Sequence, residues 1–344
     1  MPERAVSPNT LFSIATLADL AQVSGSHEAT RRCVRPPGRA RRARQTGETP
    51  RFSPPCPTPP TARYWNLVNF EAVAENLRES FRIIAASRSV GEVRELPGVS
   101  IASAGVAFQM FNAAFLSGPV ETEAELARSI LLPSLQFNTR GLEWSFWVCE
   151  DWLAPKAHRR LRQVFDRYGL RRTVGLPGMV TEKLRPPTRR LPEIDVRRVR
   201  DSRTGDDFRG IGSVCFHVPI AWFNEVFDQN CVWDRFAAYV GYVDGEPVAT
   251  AATVASGDIV GAGPDAGRGP APQPGGDVIG VYNVATLPDH RRRGYGEAVM
   301  RHALAEAERE RPSRPVVLQS TDDGLRLYER MGFRTVARFS VYAS

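Results

Sequence analysis

The sequence predicts an α/β protein of the α+β type, with two related domains behind an N-terminal tail. Between residues 64 and 344, apolar runs typical of strands alternate with segments whose apolar residues recur at helical spacing. The order strand–helix–strand–helix–strand occurs twice. A proline- and arginine-rich segment at 184–192 separates the two occurrences. We therefore expect one domain at 64–185 and a second at 194–344.

The first 62 residues differ in composition from the rest of the 344-residue chain. They contain ten prolines, nine arginines and four acidic residues, and so carry +5 of the formal net charge of +7. A segment of this composition cannot bury enough apolar surface to offset the entropy lost on ordering. We expect residues 1–62 to be disordered. The remainder is nearly neutral, which argues against a nucleic-acid-binding surface on the folded part.

Cysteine content and hydropathy limit the class of protein further. The five cysteines include no C-x-x-C pair, so we expect neither a metal site nor a disulfide framework. This usage is typical of a reducing compartment, and the expected location is the cytoplasm. No apolar run approaches the roughly 18 residues that a membrane span needs, so no membrane partner is expected.

The predicted elements follow from apolar spacing and from turn residues. In the first domain they are helix 66–86, strands 98–104 and 106–117, helix 121–135, strand 144–150, helix 159–168 and strand 174–181. In the second domain they are strand 194–199, helices 207–218 and 221–232, strands 237–243, 247–255 and 278–287, helix 294–310, strand 315–319, helix 322–331 and strand 333–342. A glycine- and proline-rich loop is predicted at 261–277.

Two short segments of the first domain align with segments of the second. Phe111–Ser117 aligns with Tyr282–Pro288, and Phe165–Leu170 aligns with Tyr328–Phe333. Each pair has the same place in the order of elements, which favours two copies of one fold over chance similarity. The copies differ in chemistry, because Phe165 has no hydroxyl where the second copy has a tyrosine.

The turn after the strand 278–287 is typical of an anion-binding site. A basic stretch from His290 to Arg293 leads into Gly294-Tyr295-Gly296 and an amphipathic helix. Glycine lets backbone approach a ligand closely. The first N–H groups of a helix have no intrahelical partner, and the helix dipole adds positive charge there. Phosphate is the ligand that this arrangement predicts. In the first copy, acidic residues occupy Pro119–Glu125 instead.

The order of elements in residues 194–344 resembles the GNAT superfamily of acyl-CoA-dependent N-acyltransferases. Two motifs carry the resemblance, Arg291-Arg-Arg-Gly-Tyr-Gly296 and Leu327-Tyr-Glu-Arg-Met-Gly-Phe333. The resemblance implies two GNAT-like domains, each with a mixed, mostly antiparallel central sheet flanked by helices. The first domain would be a degenerate copy without an acyl-CoA site. It would either extend the sheet of the second domain or form a wall of its acceptor cleft.

The resemblance also implies the site residues. Backbone N–H groups of the turn would hold the pyrophosphate of acetyl-CoA, strand residues would pair with its pantetheine arm, and Tyr328 would protonate the departing thiolate. The implied cofactor-binding residues are Val284, Ala285, Thr286, Arg291, Arg292, Arg293, Gly294, Tyr295 and Gly296. No metal is implied. The family commonly has an asparagine where this chain has Gln319-Ser320-Thr321.

The implied reaction is transfer of acetyl from acetyl-CoA to a primary amine, by direct attack in a ternary complex. The acceptor would be a small molecule or a peptide, and an oligomer is possible. The candidates for a base are Glu225, Asp228 and the terminal carboxylate of Ser344. Four aromatic residues line an acceptor pocket or form core: Phe216, Trp222, Phe223 and Phe227. The alternative is a non-catalytic acyl-CoA sensor or interaction module.

The composition of the tail generates a first prediction. Deleting residues 1–62 should change neither the melting temperature nor the affinity for acetyl-CoA, because the segment has no apolar periodicity to pack on the body. Differential scanning calorimetry and titration calorimetry on the full and shortened chains measure both quantities. A drop in melting temperature of several degrees in the shortened chain would contradict the expectation.

Overall fold

A computed structural model of the chain describes residues 70–256 and 277–344. The predicted tail, and the predicted 261–277 loop up to residue 276, lie outside the described residues. Across the described ranges, helices and strands alternate largely in the predicted order. Among these residues, none of the helices combines the length and the hydropathy that crossing a bilayer requires.

The first half, residues 70–181, contains three α-helices and five strands. The helices are α1 (Phe70–Ala86), α2 (Glu123–Thr139) and α3 (Pro155–Arg167). The strands are β1 (Glu92–Leu96), β2 (Val99–Ser103), β3 (Asn112–Leu116), β4 (Ser145–Cys149) and β5 (Arg171–Thr181). The sequence did not predict β1, because this edge strand is charged and mostly exposed. The predicted strand 106–117 is shorter, since a 3-10 turn at Gln109–Phe111 precedes β3.

The second half, residues 195–343, has a similar order of elements. The helices are α4 (Ser202–Phe216), α5 (Ile220–Val226), α6 (Val232–Arg235), α7 (Tyr295–Glu310) and α8 (Asp322–Met331). The strands are β6 (Asp195–Arg198), β7 (Ala237–Val243), β8 (Glu246–Ala255), β9 (Ile279–Thr286), β10 (Val316–Gln319) and β11 (Arg334–Ala343). The helix predicted at 207–218 begins earlier, because the Asp201 carboxylate accepts the N–H of Thr204 and caps it there.

Both halves share one mixed, mostly antiparallel sheet of 11 strands, in the order β1-β2-β3-β4-β11-β5-β10-β9-β8-β7-β6. The last strands of the two halves are exchanged. β11 pairs with β4 of the first half, and β5 pairs with β10 of the second. β5 and β11 also pair with each other at the centre. The sequence predicted two sheets flanked by helices, and the structure joins them edge to edge through this exchange.

The exchanged strands also enter the cores of the opposite halves. On one face of the sheet, α1 and α4 pack on a single continuous core. On the other face there are two cores, one under α2 and α3 and one under α7 and α8. Tyr342 of β11 stacks on Phe165 of α3 with ring centroids 4.0 Å apart. Met179 of β5 is fully buried in the same core as Tyr328 of α8.

A buried polar contact fixes α1 against the strands of the second half. Asn76 donates from its side-chain amide to the carbonyl of Val254 at 3.0 Å, and its Oδ1 accepts from the Tyr282 hydroxyl at 2.6 Å. Gly280 makes this approach possible. A Cβ at that position would stand 1.7 Å from the Asn76 oxygen.

The exchange generates a prediction about folding. Because each half completes the sheet of the other, the two halves should unfold in one cooperative transition. Tyr342→Ala should destabilise the whole chain by about 3–5 kcal/mol, the usual cost of removing a buried aromatic ring. Tyr342→Phe, which keeps the ring, is the matched control.

Urea unfolding followed by tryptophan fluorescence and by far-UV circular dichroism measures both effects. Fluorescence reports on both halves, through Trp144 and Trp147 in the first and Trp233 in the second. Two separated transitions, or a Tyr342→Ala variant as stable as the control, would show that the halves are energetically independent.

Candidate functional site

The turn between β9 and α7 has an unusual backbone. After a 3-10 turn at Pro288–His290, the chain enters α7 through Arg292 and Gly294, both in the left-handed region with φ of 63° and 97°. Left-handed residues spaced this closely turn successive N–H groups toward one side, which is the geometry of an anion-binding nest. Gly294 is also the N-cap of α7 and offers no side-chain acceptor.

The N–H groups of this turn are available to a ligand. The first backbone bond into the helix runs from the N–H of Ala298 to the carbonyl of Gly294 at 3.0 Å. Among the described residues, no acceptor bonds the backbone N–H groups of Arg292–Gly296. A 16-residue helix adds its dipole to these donors. The arrangement suits an anion with several oxygens, such as a diphosphate.

The turn requires glycine at positions 294 and 296 for different structural reasons. Gly294 needs its left-handed φ, and a Cβ there would lie 3.2 Å from a guanidinium nitrogen of Arg189. Gly296 brings the first turn of α7 against the end of β9, because a Cβ there would lie 2.8 Å from the Thr286 hydroxyl. The glycines therefore shape the turn from within the protein, in addition to leaving room for a ligand.

The strand before the turn has an open edge. β9 pairs in parallel with β10 only at Ile279 and Gly280. Residues 281–286 continue beyond that point, paired on one side with β8. No described strand pairs with their other side. This stretch contains the predicted pantetheine contacts Val284, Ala285 and Thr286, and it lies where β9 and β10 diverge.

A β-bulge lies within this open stretch. Asn283 has a left-handed φ of 49°, and the pairing with β8 shifts by one residue around it. The Thr250 hydroxyl donates to the backbone carbonyl of Asn283 at 2.8 Å. The side-chain Oδ1 of Asn283 is buried and has no hydrogen-bond partner among the described residues. Strain together with an unsatisfied polar atom is typical of functional positions. The sequence did not single out this residue.

Tyr328 lies in α8, at the end of β10. Its ring and the Ser320 hydroxyl both approach Gly324, where a Cβ would stand 2.8 Å from the ring and 2.9 Å from the hydroxyl oxygen. The side chain is 4% exposed. Burial raises the pKa of the Tyr328 phenol above its ordinary value. The phenol therefore keeps its proton throughout the physiological range and is a hydrogen-bond donor there.

The arginines of the predicted site differ in their contacts and exposure. Arg291 donates from Nε to the carbonyl of Thr286 at 3.0 Å. It also lies beside Cys215 of α4, where burial raises the pKa of the thiol and Arg291 opposes that shift. Its side chain therefore secures the end of β9. Arg292 and Arg293 are exposed, and neither forms an ion pair within the described part of the chain.

In the first half, the protein's own groups occupy the start of α2 and the edge of β3, which correspond to the start of α7 and the edge of β9. At the start of α2, the Glu125 carboxylate accepts the N–H groups of Glu121 and Thr122 at 2.8 and 3.3 Å. The helix thus carries an anion of its own where α7 has open donors. β3 pairs with β4 up to Phe115, leaving only Leu116 beyond, and the carbonyl of Leu116 accepts from Arg78.

The C-terminal ends of α3 in the first half and α8 in the second half nevertheless have the same hydrogen-bond pattern. The N–H of Leu170 donates to the carbonyl of Phe165, and the N–H of Phe333 donates to that of Tyr328. Gly169 and Gly332 provide the left-handed residue that such helix ends require. The aligned motifs therefore occupy equivalent places, with a phenylalanine in one half and a tyrosine in the other.

The aromatic residues predicted for the acceptor side form core, because Phe223 stacks on both Phe216 and Phe227. Phe216, Phe223 and Phe227 are buried core, and Trp222 stacks on Phe108 at 5.2 Å. Glu225 and Asp228 are exposed. Ser344, the third candidate for a base, lies beside the start of β4 in the first half. Because β11 is exchanged, the N–H of Ser344 donates to the carbonyl of Trp144 at the start of β4.

Within the described residues, no group of three or more His, Cys, Asp or Glu side chains is arranged to hold a metal ion.

Comparison with known proteins agrees with this geometry. Residues 206–333 match the profile of the Acetyltransferase (GNAT) family. A GCN5-related N-acetyltransferase from Kribbella flavida is 19% identical with a TM-score of 0.54, covering 79% of this chain and 95% of that chain. A functionally unknown conserved protein from Staphylococcus epidermidis is 15% identical with a TM-score of 0.51, covering 74% and 94%.

Both structures cover more than 70% of this chain, so the similarity of fold extends over both halves. At these sequence identities, similarity to the two structures establishes the fold alone. A search of curated proteins finds no match. Residues 206–333, in the second half of this chain, therefore form a domain of the Acetyltransferase (GNAT) family.

Proposed function

We propose that the second half is an acyl-CoA-dependent N-acyltransferase that moves an acetyl group from acetyl-CoA to a primary amine. One observation carries the proposal. In the second half, open N–H groups at the start of α7 follow directly on the open edge of β9. In the first half, both features are closed by the protein's own groups. A phosphate site continuous with an extended backbone edge suits a ligand that joins a diphosphate to an amide-containing arm.

The residues present fit such a ligand. The N–H groups of Arg292–Gly296 would bind the diphosphate, and the exposed Arg292 and Arg293 would add positive charge. Val284, Ala285 and Thr286 would pair with the amide groups of the pantetheine arm. Tyr295 lies in the first turn of α7, where its backbone N–H joins the others. Arg291 acts as a positioning residue, since it holds the carbonyl of Thr286 in place.

In the proposed reaction, the neutral amine attacks the thioester carbonyl directly in a ternary complex. A carbon–nitrogen bond forms, the carbon–sulfur bond breaks, and the electron pair leaves with sulfur. A backbone N–H of the β9 edge would stabilise the carbonyl oxygen as it gains charge. Tyr328 would give its proton to the departing thiolate, the attacking nitrogen would release one to solvent, and the phenolate would regain a proton from solvent before the next turnover.

Burial affects both partners of the proton transfer. The raised pKa of Tyr328 makes the phenol a weaker acid than a free one. A thiolate leaving into the same dry surroundings is also destabilised, because burial disfavours any charged form. The two effects act in opposite directions on the transfer, so burial of the phenol alone does not exclude the role.

A non-catalytic acyl-CoA sensor is the second candidate. The weaker acidity of the buried Tyr328 favours it, as does the tight packing of the aromatic residues expected to line an acceptor pocket. The two candidates differ in one measurement. An enzyme releases free thiol from acetyl-CoA when offered its acceptor, whereas a sensor binds acetyl-CoA and releases none with any amine. A screen of small amines and peptides with a thiol-reactive dye separates them.

The closed turn of the first half provides a matched control for the cofactor site. Gly294→Val should lower the affinity for acetyl-CoA by about 100-fold or more, because it disturbs several hydrogen bonds to a charged ligand. Gly118→Val, in the turn before α2, should leave affinity unchanged, since nothing lies within 4 Å of a Cβ there. Titration calorimetry should also give one acetyl-CoA per wild-type chain.

Near-UV circular dichroism confirms that each of these variants is folded. Two bound ligands per chain would mean that the first half is also a cofactor site. Equal affinities of a folded Gly294→Val variant and the wild type would remove the α7 turn from the site.

Tyr328→Phe should keep the affinity for acetyl-CoA and lower kcat by about tenfold or more, toward the ~10²–10⁴ range of general acid catalysis. The wild-type rate should rise with pH as the amine loses its proton. It should show no decline near pH 10, because burial raises the pKa of Tyr328 above that ordinary value. Stopped-time thiol assays from pH 6 to about pH 10.5 measure both. A variant with full kcat across that range would assign the proton transfer to water.

A further inference from the structure

The segment that joins the two halves lies along the proposed cofactor site. It leaves β5 at Thr181, and its Arg185 N–H donates to the carbonyl of Met331 at the end of α8, at 2.9 Å. Near its other end, Pro192 lies 3.1 Å from the position of a Cβ on Gly294, at the start of α7. The segment therefore runs from the helix that carries Tyr328 to the turn that carries the open N–H groups.

Arg189 is the residue of this segment that enters the turn. Both terminal nitrogens of its guanidinium lie 3.4 Å from the backbone carbonyl of Arg292, and one lies 3.2 Å from the Cβ position of Gly294. These bonds are longer than the usual 2.9 Å or so for N–H···O. The carbonyl is thus a weak partner that leaves most of the donor capacity of this side chain unused.

The three arginines around the turn, Arg189, Arg292 and Arg293, form no ion pair within the described part of the chain. The nearby acid Glu297 is engaged by Arg301 at 2.9 Å. The dipole of α7 adds to the same positive field. Guanidinium groups beside open N–H groups form a strong site for phosphate, because the planar fork of arginine matches two phosphate oxygens.

We propose that Arg189, from the segment between the halves, binds the diphosphate of acetyl-CoA together with the turn of α7. This inference rests on the proposed cofactor site of the second half. It gives that segment a function besides connection, since it supplies a charged group to the cofactor site. The sequence showed only a proline- and arginine-rich linker at this place, with no sign that one arginine differs from the others.

The neighbouring residue provides the matched control. Arg190 belongs to the same segment, is exposed, and has its own partner in Glu193 at 3.4 Å. Arg189→Ala should weaken acetyl-CoA binding by about 10- to 100-fold, the effect of losing hydrogen bonds to a charged group. Arg190→Ala should change it less than about twofold, as expected for a solvent-exposed charge. The affinity of Arg189→Lys for acetyl-CoA should lie between those of the wild type and Arg189→Ala, because lysine keeps the charge and loses the planar, two-pronged guanidinium.

Truncated ligands identify the phosphate that is bound. Acetyl-3′-dephospho-CoA keeps the diphosphate, and acetylpantetheine has no phosphate. The loss caused by Arg189→Ala should be the same for acetyl-CoA and for the dephospho ligand, and absent for acetylpantetheine. A loss that disappears with the dephospho ligand would overturn the diphosphate assignment in favour of the 3′-phosphate. An equal loss with acetylpantetheine would reduce Arg189 to a structural residue.

Different results would contradict the proposed function and the proposed role of Arg189. A wild-type chain that binds no acetyl-CoA would contradict the proposed function itself. A wild type that binds acetyl-CoA, with a folded Arg189→Ala variant of equal affinity, would overturn only the role of Arg189. Melting temperatures of the variants, expected within about a degree of wild type for exposed side chains, show that folding is unchanged.

Discussion

Backbone pairing between β5 and β11 is the constraint on which the rest of the structure depends. Each strand belongs by chain order to one half and lies beside a strand of the other. A buried N–H or C=O without a partner costs about 1–3 kcal/mol, so neither half completes its sheet alone. The exchange also places Tyr342 and Met179 in the cores of the opposite halves. The core that holds Tyr328 and α7 is therefore partly built by the first half.

The two halves start the corresponding helices α2 and α7 in different ways. α2 begins with a threonine and a glutamate that satisfy its first N–H groups internally, whereas α7 begins with a glycine that satisfies none. Internal capping stabilises a helix by about 1 kcal/mol. The strands also differ, since β3 is paired almost to its end and β9 is left open over residues 281–286.

Much of the site was predictable because its parts are consecutive in the chain. The strand, the turn with Gly294 and the start of α7 follow one another within twenty residues, and local chemistry predicts such a unit. Arg189 was not predictable, because it stands 103 residues from its contact at Arg292. Asn283 was missed because it stands within an apolar run that indicates a regular strand, although asparagine adopts left-handed backbone more readily than most residues. The contact between Ser344 and Trp144 was not predictable either, because it depends on the exchange of the last strand between the halves.

By itself, the sequence determined the two-copy order of helices and strands, the family, and the turn that marks the proposed cofactor site. These depend on apolar period, helix-end residues and glycine positions, all of which act over a few residues. Only the tertiary structure decided which strand completes which half, and which distant arginine reaches the turn. Sheet edges offer the same N–H and C=O groups whatever their sequence. The choice of partner strand is therefore made by packing over the whole chain, and no local pattern records it.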